Sequence, residues 1–404
     1  MNWETYKLKQ LCSEIVDCVN KTAPTSDVPT PYKMLRTSDI RDGKINLENL
    51  NCVTKEVYEK WTRRGKLQKG DVIFTREAPL GEVGLVREEK NYFLGQRLVL
   101  FRANDKMCDG RFLMYSLLWH DNKQAIISKG VGSTVAHLRV PECENIEIKV
   151  PDLDVQHRIA DILSAYDDLI ENNQKQIKLL EEAAQRLYKE WFVDLRFPGH
   201  ENTKIVDGVP EGWQYEKLGD LVKTTSGGTP SRRKSEYYVN GNIKWIKTKE
   251  LNDRFIFETE EHITEDAVKN SSAKVLPEGA LIVAMYGATI GKIGITAAEM
   301  ACNQACCAFI SFDDMISKEY LYCWLMDNRE YLVSQGKGAA QSNLSQDMIR
   351  NFSILCPDKK VIKIFTEIVT TMLENKRVLE NKILMLSEAR DDLLPKLMSG
   401  EVEV

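Results

Sequence analysis

From Asp154 to Phe192 the apolar positions fall at Val155, Ile159, Ile162, Tyr166, Leu169, Asn173, Ile177, Leu180, Ala184, Leu187 and Trp191. The steps are 4, 3, 4, 3, 4, 4, 3, 4, 3 and 4, a heptad seam with one four-residue stutter at its middle. No glycine or proline interrupts it, and Glu, Gln, Lys and Arg occupy the other faces. Adding 206 to each number gives Val361, Phe365, Ile368, Met372, Asn375, Leu379, Ile383, Leu386, Arg390, Leu393 and Leu397, the same seam with the same stutter. Two helices with matched stripes are predicted to pair. The 37 residues from 155 to 191 would reach roughly 55 Å at 1.5 Å per residue.

The rest of the chain also reads as one plan written twice. "WETYKL" (Trp3–Leu8) is answered by "WQYEKL" (Trp213–Leu218). Tyr32–Ile40 matches Ile243–Leu251 through a shared [Arg/Lys]-Thr-x-[Asp/Glu]-[Ile/Leu], and Leu67–Phe74 matches Leu276–Val283. Glycine turns follow at Gly81–Gly84 and Gly287–Gly294; Gln96 and Gln304 then each lead into an apolar strand. Short amphipathic helices are predicted at Phe112–Trp119 and Tyr320–Met326. Small-residue loops come next, Gly130–Leu138 and Gly336–Leu344, and each half enters its long helix at a proline, Pro151 or Pro357.

The predicted fold is α+β: two tandem mixed α/β domains, 1–150 and 198–356, separated by long helices over 151–197 and 357–404. The helices are expected to pair as an antiparallel coiled coil with pseudo-two-fold symmetry. That arrangement would hold two like surfaces apart on the scale of a turn or two of B-DNA, roughly 34 Å per turn. Asn173 and Asn375 on the seam are either tolerated at the stutter or fix register at a cost in stability. Pro395 is expected to stop or kink the second helix. Tyr188, Trp191 and Phe192 must partly leave the seam, to pack on the neighbouring domain or to form a docking surface.

At 404 residues, 43% hydrophobic and 28% charged, the chain has room for two ordinary globular domains. No apolar run approaches the roughly 20 residues of a membrane span. Met1–Lys9 is polar and charged rather than signal-like, so the chain is expected to stay in the cytoplasm. Ten scattered cysteines never form two CxxC pairs, so they read as small buried hydrophobes. The net charge of −5 hides local basic runs. Lys60–Arg76 holds six bases and one acid, and Lys223–Lys249 seven bases and one acid.

Catalytic and metal motifs fail one by one. An adenine methyltransferase needs [Asn/Asp/Ser]-Pro-Pro-aromatic, and the chain has no Pro-Pro. Gly287-Ala-Thr-Ile-Gly291-Lys292-Ile293 is one residue short of a P-loop and ends in isoleucine, so it reads as a turn. Pro357-Asp358 with Glu374 and Lys376 imitates a nuclease pattern, but a predicted helix separates them by about four turns. The five histidines show no ligand spacing, so no metal site is expected.

DNA-contact candidates are instead polar and basic residues placed alike in both halves. In the first they are Lys33, Arg36, Thr37, Arg63, Arg64, Arg76, Ser133 and Thr134. In the second they are Ser226, Thr229, Ser231, Arg232, Arg233, Lys244, Lys247, Thr248, Lys249, Tyr286, Gln341, Ser342 and Asn343. Arg and Lys suit phosphates and guanine edges; Gln and Asn suit adenine.

Four tracts together resemble the DNA-specificity (S) subunit of type I restriction-modification systems, along the whole chain. They are "GALIVAMYGATIGKIGI" (Gly279–Ile295), "ACNQACCAFI" (Ala301–Ile310), "GKGAAQSNLSQDMIRNFSI" (Gly336–Ile354) and the helix Gln156–Phe192. The second half fits the pattern more closely than the first. The resemblance implies two target-recognition domains, each reading half of a split double-stranded DNA site, with the helices as spacer. It also implies docking of two methyltransferase (M) subunits, with Tyr188, Trp191 and Phe192 as candidates, and restriction (R) subunits joining through M. S-adenosylmethionine would sit on M and ATP with Mg on R, with no cofactor and no catalysis in this chain. The alternatives are a stand-alone or fused DNA-modifying enzyme and a coiled-coil scaffold that does not touch DNA.

Overall fold

The computed structural model describes residues 2–131, 136–336 and 343–404. The chain divides into two compact units, one made of residues 1–169 and 386–404 and the other of residues 170–385. Both boundaries fall inside the long helices, Leu153–Tyr188 and Lys359–Ser399. Each unit therefore owns a globular part and half of each helix, so the helices do not stand as segments of their own.

The duplicated plan is visible pairing by pairing. In the first unit Glu4–Lys7 pairs antiparallel with Glu147–Val150; in the second Gln214–Lys217 pairs antiparallel with Ser353–Cys356. The main sheet of the first unit runs Cys12–Asp17, Leu98–Ala103, Val72–Arg76, Leu80–Leu85. Its counterpart runs Val222–Ser226, Cys306–Phe312, Leu281–Ala284, Ile293–Thr296 and gains Arg254–Ile256 as a fifth, parallel strand. Strands such as Val72–Arg76 and Leu281–Ala284 are continuous apolar runs because a helix covers one face and a second small sheet the other. That second sheet holds a parallel pair in both units, Lys33–Leu35 beside Tyr92–Leu94 and Ile243–Ile246 beside Met300–Cys302. The predicted short helices form at Gly110–Leu118 and Lys318–Asp327, capped by Asp109 and Ser317. All ten cysteines are free thiols, eight of them buried. No described helix is long and apolar enough to cross a membrane.

Within each unit the two helix halves meet. In the second, the Trp191 and Phe365 rings lie 5.9 Å apart and the Glu181 carboxylate is 2.6 Å from Lys376 Nζ. One number falls as the other rises, so the halves run antiparallel there. In the first unit Arg390 donates to Asp167 at 2.5 Å, while Val155 and Ile159 share a core with Leu397. The same direction follows.

The phase of the seam differs from the heptad reading. Ile159 and Phe365 are fully buried, but Leu169 is 51% exposed and the adjacent Ile170 is buried. Ile368 is exposed beside the buried Val369, and Asn375 is exposed beside Lys376, which is only 1% exposed. Ile162, Tyr166, Ile177, Leu180, Met372, Leu379, Ile383 and Leu386 are half-buried, and Asn173 is buried. Each helix half packs on its globular part as well as on its partner helix, so its buried face is wider than two positions per heptad. A straight helix at 3.6 residues per turn also drifts off a 3.5-residue repeat. With Asn375 in solvent, matched asparagines do not set register.

Charged side chains hold that place. Asp167 receives Arg390 from the second helix and the Tyr115 hydroxyl (2.5 Å) from the short helix. Lys376 Nζ meets Glu181, the Tyr322 hydroxyl (3.1 Å) and the Asp253 carbonyl (2.6 Å). Tyr115 and Tyr322 lie on corresponding short helices, one donating to an acid and the other accepting from a base. Nearby, burial pushes the Glu380 carboxyl up to about 7 although Lys376 pulls it down.

Two further expectations change. The second helix runs through Pro395 to Ser399, because a proline one turn from a helix end removes few hydrogen bonds. Tyr188, Trp191 and Phe192, named as docking candidates, are buried at 4%, 8% and 6% exposure. A wide π turn at Lys189–Val193 swings Trp191 and Phe192 inward onto Tyr320, Phe365 and Trp213, where they form core and not surface.

Candidate nucleic-acid interface

In each unit four loops converge where the parallel strand pair ends. The first is the turn after the strand Lys33–Leu35 or Ile243–Ile246. Asp39 caps it by accepting from Arg36 N (2.8 Å), and Glu250 does the same for Lys247 N (2.7 Å). The second is the hairpin tip of the main sheet, tied to that turn by Thr37 Oγ1 donating to Ala78 O (2.9 Å) in one unit. In the other, Thr289 Oγ1 donates to Thr248 O (2.7 Å). The third is the segment after Tyr92–Leu94 or Met300–Cys302. There Arg76 N donates to Arg97 O and Met285 N to Ala305 O, both at 2.8 Å. The fourth is the described end of the small-residue tract, where Leu138 N donates to Arg76 O (3.0 Å) and Leu344 N to Met285 O (2.7 Å). The backbone scaffold is thus the same in both units.

The side chains on it are not. In the first unit Arg76, Glu77, Gln96, Arg97 and His137 surround a polar recess of about 300 Å³. The corresponding positions of the second unit hold Met285, Tyr286, Gln304, Ala305 and Asn343. A shared backbone thus carries divergent side chains in the two units.

The candidates divide accordingly. Arg36, Thr37 and Arg76 come together in the first cluster, but Arg36 is held bidentate by buried Asp39 (3.0 and 2.8 Å). Arg76 is held by Asp17 (2.9 Å) and the Leu138 carbonyl, so it serves the scaffold. Arg64 reaches the Cys18 carbonyl at 3.2 Å, beside the same Asp17. Arg63 is exposed and, among the described residues, donates only to Lys60 O in the helix just before it. Lys33 lies at the far end of its strand, 2.9 Å from Cys52 Sγ, and does not join the cluster.

In the second unit Thr229, Lys247, Thr248, Lys249, Tyr286 and Asn343 join one cluster, Tyr286 and Asn343 through a backbone bridge. Arg232 stacks on the Tyr238 ring (4.4 Å) and reaches Glu261 at 2.6 Å. Lys247 meets Glu261 (2.6 Å) and Glu260 (2.9 Å), Lys244 meets Glu258 (2.6 Å), and Lys249 meets Glu260. Arg232, with Lys247 behind it, holds the Glu261 carboxyl down at about 2. The basic run Lys223–Lys249 is therefore largely neutralised by acids that follow it in sequence and fold back. Ser226 ends its strand half-buried, while Ser231 and Arg233 are exposed. Ser133, Thr134, Gln341 and Ser342 lie outside the described residues.

Phosphate attraction should accordingly rest on cations without an acid partner. Removing one cation from a phosphate flattens the dependence of log affinity on log salt by about 0.9. Arg63→Gln and Arg233→Gln should each lower the slope by roughly that amount in a DNA titration at several salt concentrations. Lys244→Gln, already paired with Glu258, should leave it nearly unchanged.

Two like units on one chain match a known family. A family model, the type I restriction modification DNA specificity domain, matches residues 1–182 and 210–385. The chain belongs to that family: it is a DNA-sequence-recognition protein of type I restriction-modification, non-catalytic in itself. It is 28% identical over 342 residues to the type I restriction enzyme MjaIX specificity subunit of Methanocaldococcus jannaschii, covering 83% of this chain and 78% of that one. It is 25% identical to the HindI specificity subunit of Haemophilus influenzae, over 99% of this chain and 100% of that one. A crystal structure of a type I restriction-modification S subunit from M. genitalium shares the fold, with a TM-score of 0.65 at 16% identity. The match covers 98% of this chain and 96% of that one.

The residues missed from sequence are Gln96 and Gln304, together with Arg97 and His137. The glutamines occupy equivalent places in the repeat, which was the available signal.

Proposed function

We propose that each unit reads one half of a bipartite double-stranded DNA site and that the paired helices set the gap between the halves. The observation that carries this is the loop cluster built twice on one backbone plan, with two unbroken helices connecting the units. One cluster presents Arg97 and His137 and the other Tyr286 and Asn343, so the two half-sites differ in sequence.

The chain also scaffolds two methyltransferase subunits that methylate adenine, and through them restriction subunits; S-adenosylmethionine belongs to the former, ATP and Mg to the latter. With Tyr188, Trp191 and Phe192 in the core, the methyltransferase dock is assigned to the exposed face of the second helix. Ile364, Ile368, Val378 and Met385 line it at 43%, 37%, 51% and 61% exposure, an unusual apolar stripe on a solvated helix.

The test is to insert seven residues, two heptad-matched turns, into each long helix where it passes from one unit to the other. Methylome sequencing of a host carrying the variant should show both half-sites unchanged. The gap should be longer by about three base pairs, from 1.5 Å of rise per residue. Altered half-sites with an unaltered gap would exclude the helices as spacer.

A further inference from the structure

The geometry points to Gln96 and Gln304 as equivalent base-reading residues, each presenting its carboxamide to an adenine at the same place in its half-site. The inference rests on the half-site reading above. Both side chains are immobilised in the same way. The residue before each glutamine donates to the parallel strand, Gly95 N to Leu35 O and Asn303 N to Ile246 O, both at 2.9 Å. The residue after each accepts from the hairpin strand, at Arg97 O and Ala305 O. The carboxamide itself is oriented by a threonine of the entry loop. Thr22 Oγ1 donates to Gln96 Oε1 at 3.0 Å, and Thr229 Oγ1 to Gln304 Oε1 at 2.6 Å.

This approach needs glycine. A Cβ on Gly95 would stand 2.2 Å from the Leu35 carbonyl oxygen, and one on Gly227 1.7 Å from the Cys302 carbonyl oxygen. These two positions bring the entry loop and the glutamine segment against the parallel strands.

The chemistry of the held amide then selects a base. With Oε1 engaged by the threonine, Nε2 is the group left without a partner among the described residues, and Gln304 is exposed. A carboxamide oxygen has two lone pairs, so Oε1 can still accept a second hydrogen bond. A donor beside a half-used acceptor matches adenine, whose N7 accepts and whose N6 amine donates in the major groove. Guanine offers two acceptors there, N7 and O6, and would set O6 against Oε1. A purely structural glutamine would not need its amine left unpartnered in both copies. The flanking residues diverge, Arg97 against Ala305 and His137 against Asn343, as expected when one base is common to both half-sites and its neighbours are not.

The experiment uses the full chain assembled with its methyltransferase subunits and a pool of DNA duplexes randomised across both half-sites, sequenced before and after selection. Wild type should enrich adenine at one corresponding position in each half. Gln96→Ala should lose that preference on the order of ten- to a hundredfold in the first half-site alone, and Gln304→Ala in the second alone. Gln304→Glu keeps the acceptor for Thr229 but replaces the donor; it should exchange adenine for cytosine, whose N4 amine donates. Thr22→Val should weaken the adenine preference and Thr22→Ser restore it. Uniform weakening over all sequences with the enriched bases unchanged would overturn the inference, as would Gln304→Glu leaving the preferred base as it was. A wild-type pool enriched in no two-part sequence would remove the half-site reading itself, a separate result.

Discussion

Lys376→Ala is expected to cost about 3–5 kcal/mol, because it leaves the buried Glu380 (3.8 Å away) and the half-buried Glu181 without their counter-charge. Lys376 is 1% exposed, and its Nζ satisfies Glu181, the Asp253 carbonyl and the Tyr322 hydroxyl together, above the Tyr322 ring at 5.4 Å. Truncation strands all three and opens a void between the helix halves. Urea unfolding followed by hydrogen exchange in peptides from 170–385 will locate the destabilisation, which should spare those from 1–169. Asn375→Ala, one residue earlier and in solvent, should change stability by no more than about 0.5 kcal/mol. The triple variant Glu181→Gln, Lys376→Met and Glu380→Gln should recover part of the stability, since it leaves no stranded charge. Equal effects at 375 and 376 would mean that the buried lysine does not hold the helices in register.

That contrast also marks what sequence could convey. A repeat written twice exposes its own pairing. The matches of Tyr32–Ile40 to Ile243–Leu251 and of Leu67–Phe74 to Leu276–Val283 follow real strands, because both copies must keep the same face inward. Helix existence was legible for a similar reason, since a long run without glycine or proline has few other stable forms. The phase of the seam was not. It depends on how each half-helix divides its surface between its partner and a globular body far away in sequence. Tyr115 with Asp167, and Tyr322 with Lys376, are contacts of that kind. The charge of the second cluster was hidden likewise, because Glu258, Glu260 and Glu261 lie beyond the basic run and return to it only in three dimensions. Arg76 looked free because its partner, Asp17, is on a strand much earlier in the chain. Gln96 and Gln304 stood out as repeat markers, but only the threonine hydroxyls opposite them show that their amides are aimed.

Phe192→Ala tests where the aromatic cluster belongs. The Phe192 ring lies 4.8 Å from Tyr320, 4.9 Å from Phe365 and 5.9 Å from Trp213, at the junction of the first helix, the second helix and the globular body of its unit. Removing a buried phenylalanine costs about 3–5 kcal/mol, from the transfer of its ring out of the core and the cavity that remains. Thermal unfolding of the second unit should therefore move down by several degrees. Association with the methyltransferase subunits, measured well below that transition, should be unchanged. Met385→Asp should do the reverse. Its side chain is 61% exposed at the end of the Ile364–Ile368–Val378 stripe, so a charge there disturbs no core packing but sets an unpaired carboxylate in the proposed apolar dock. Loss of partner binding in Phe192→Ala while the unit remains folded would return the aromatic cluster to the interface, and full binding by Met385→Asp would remove the stripe from it.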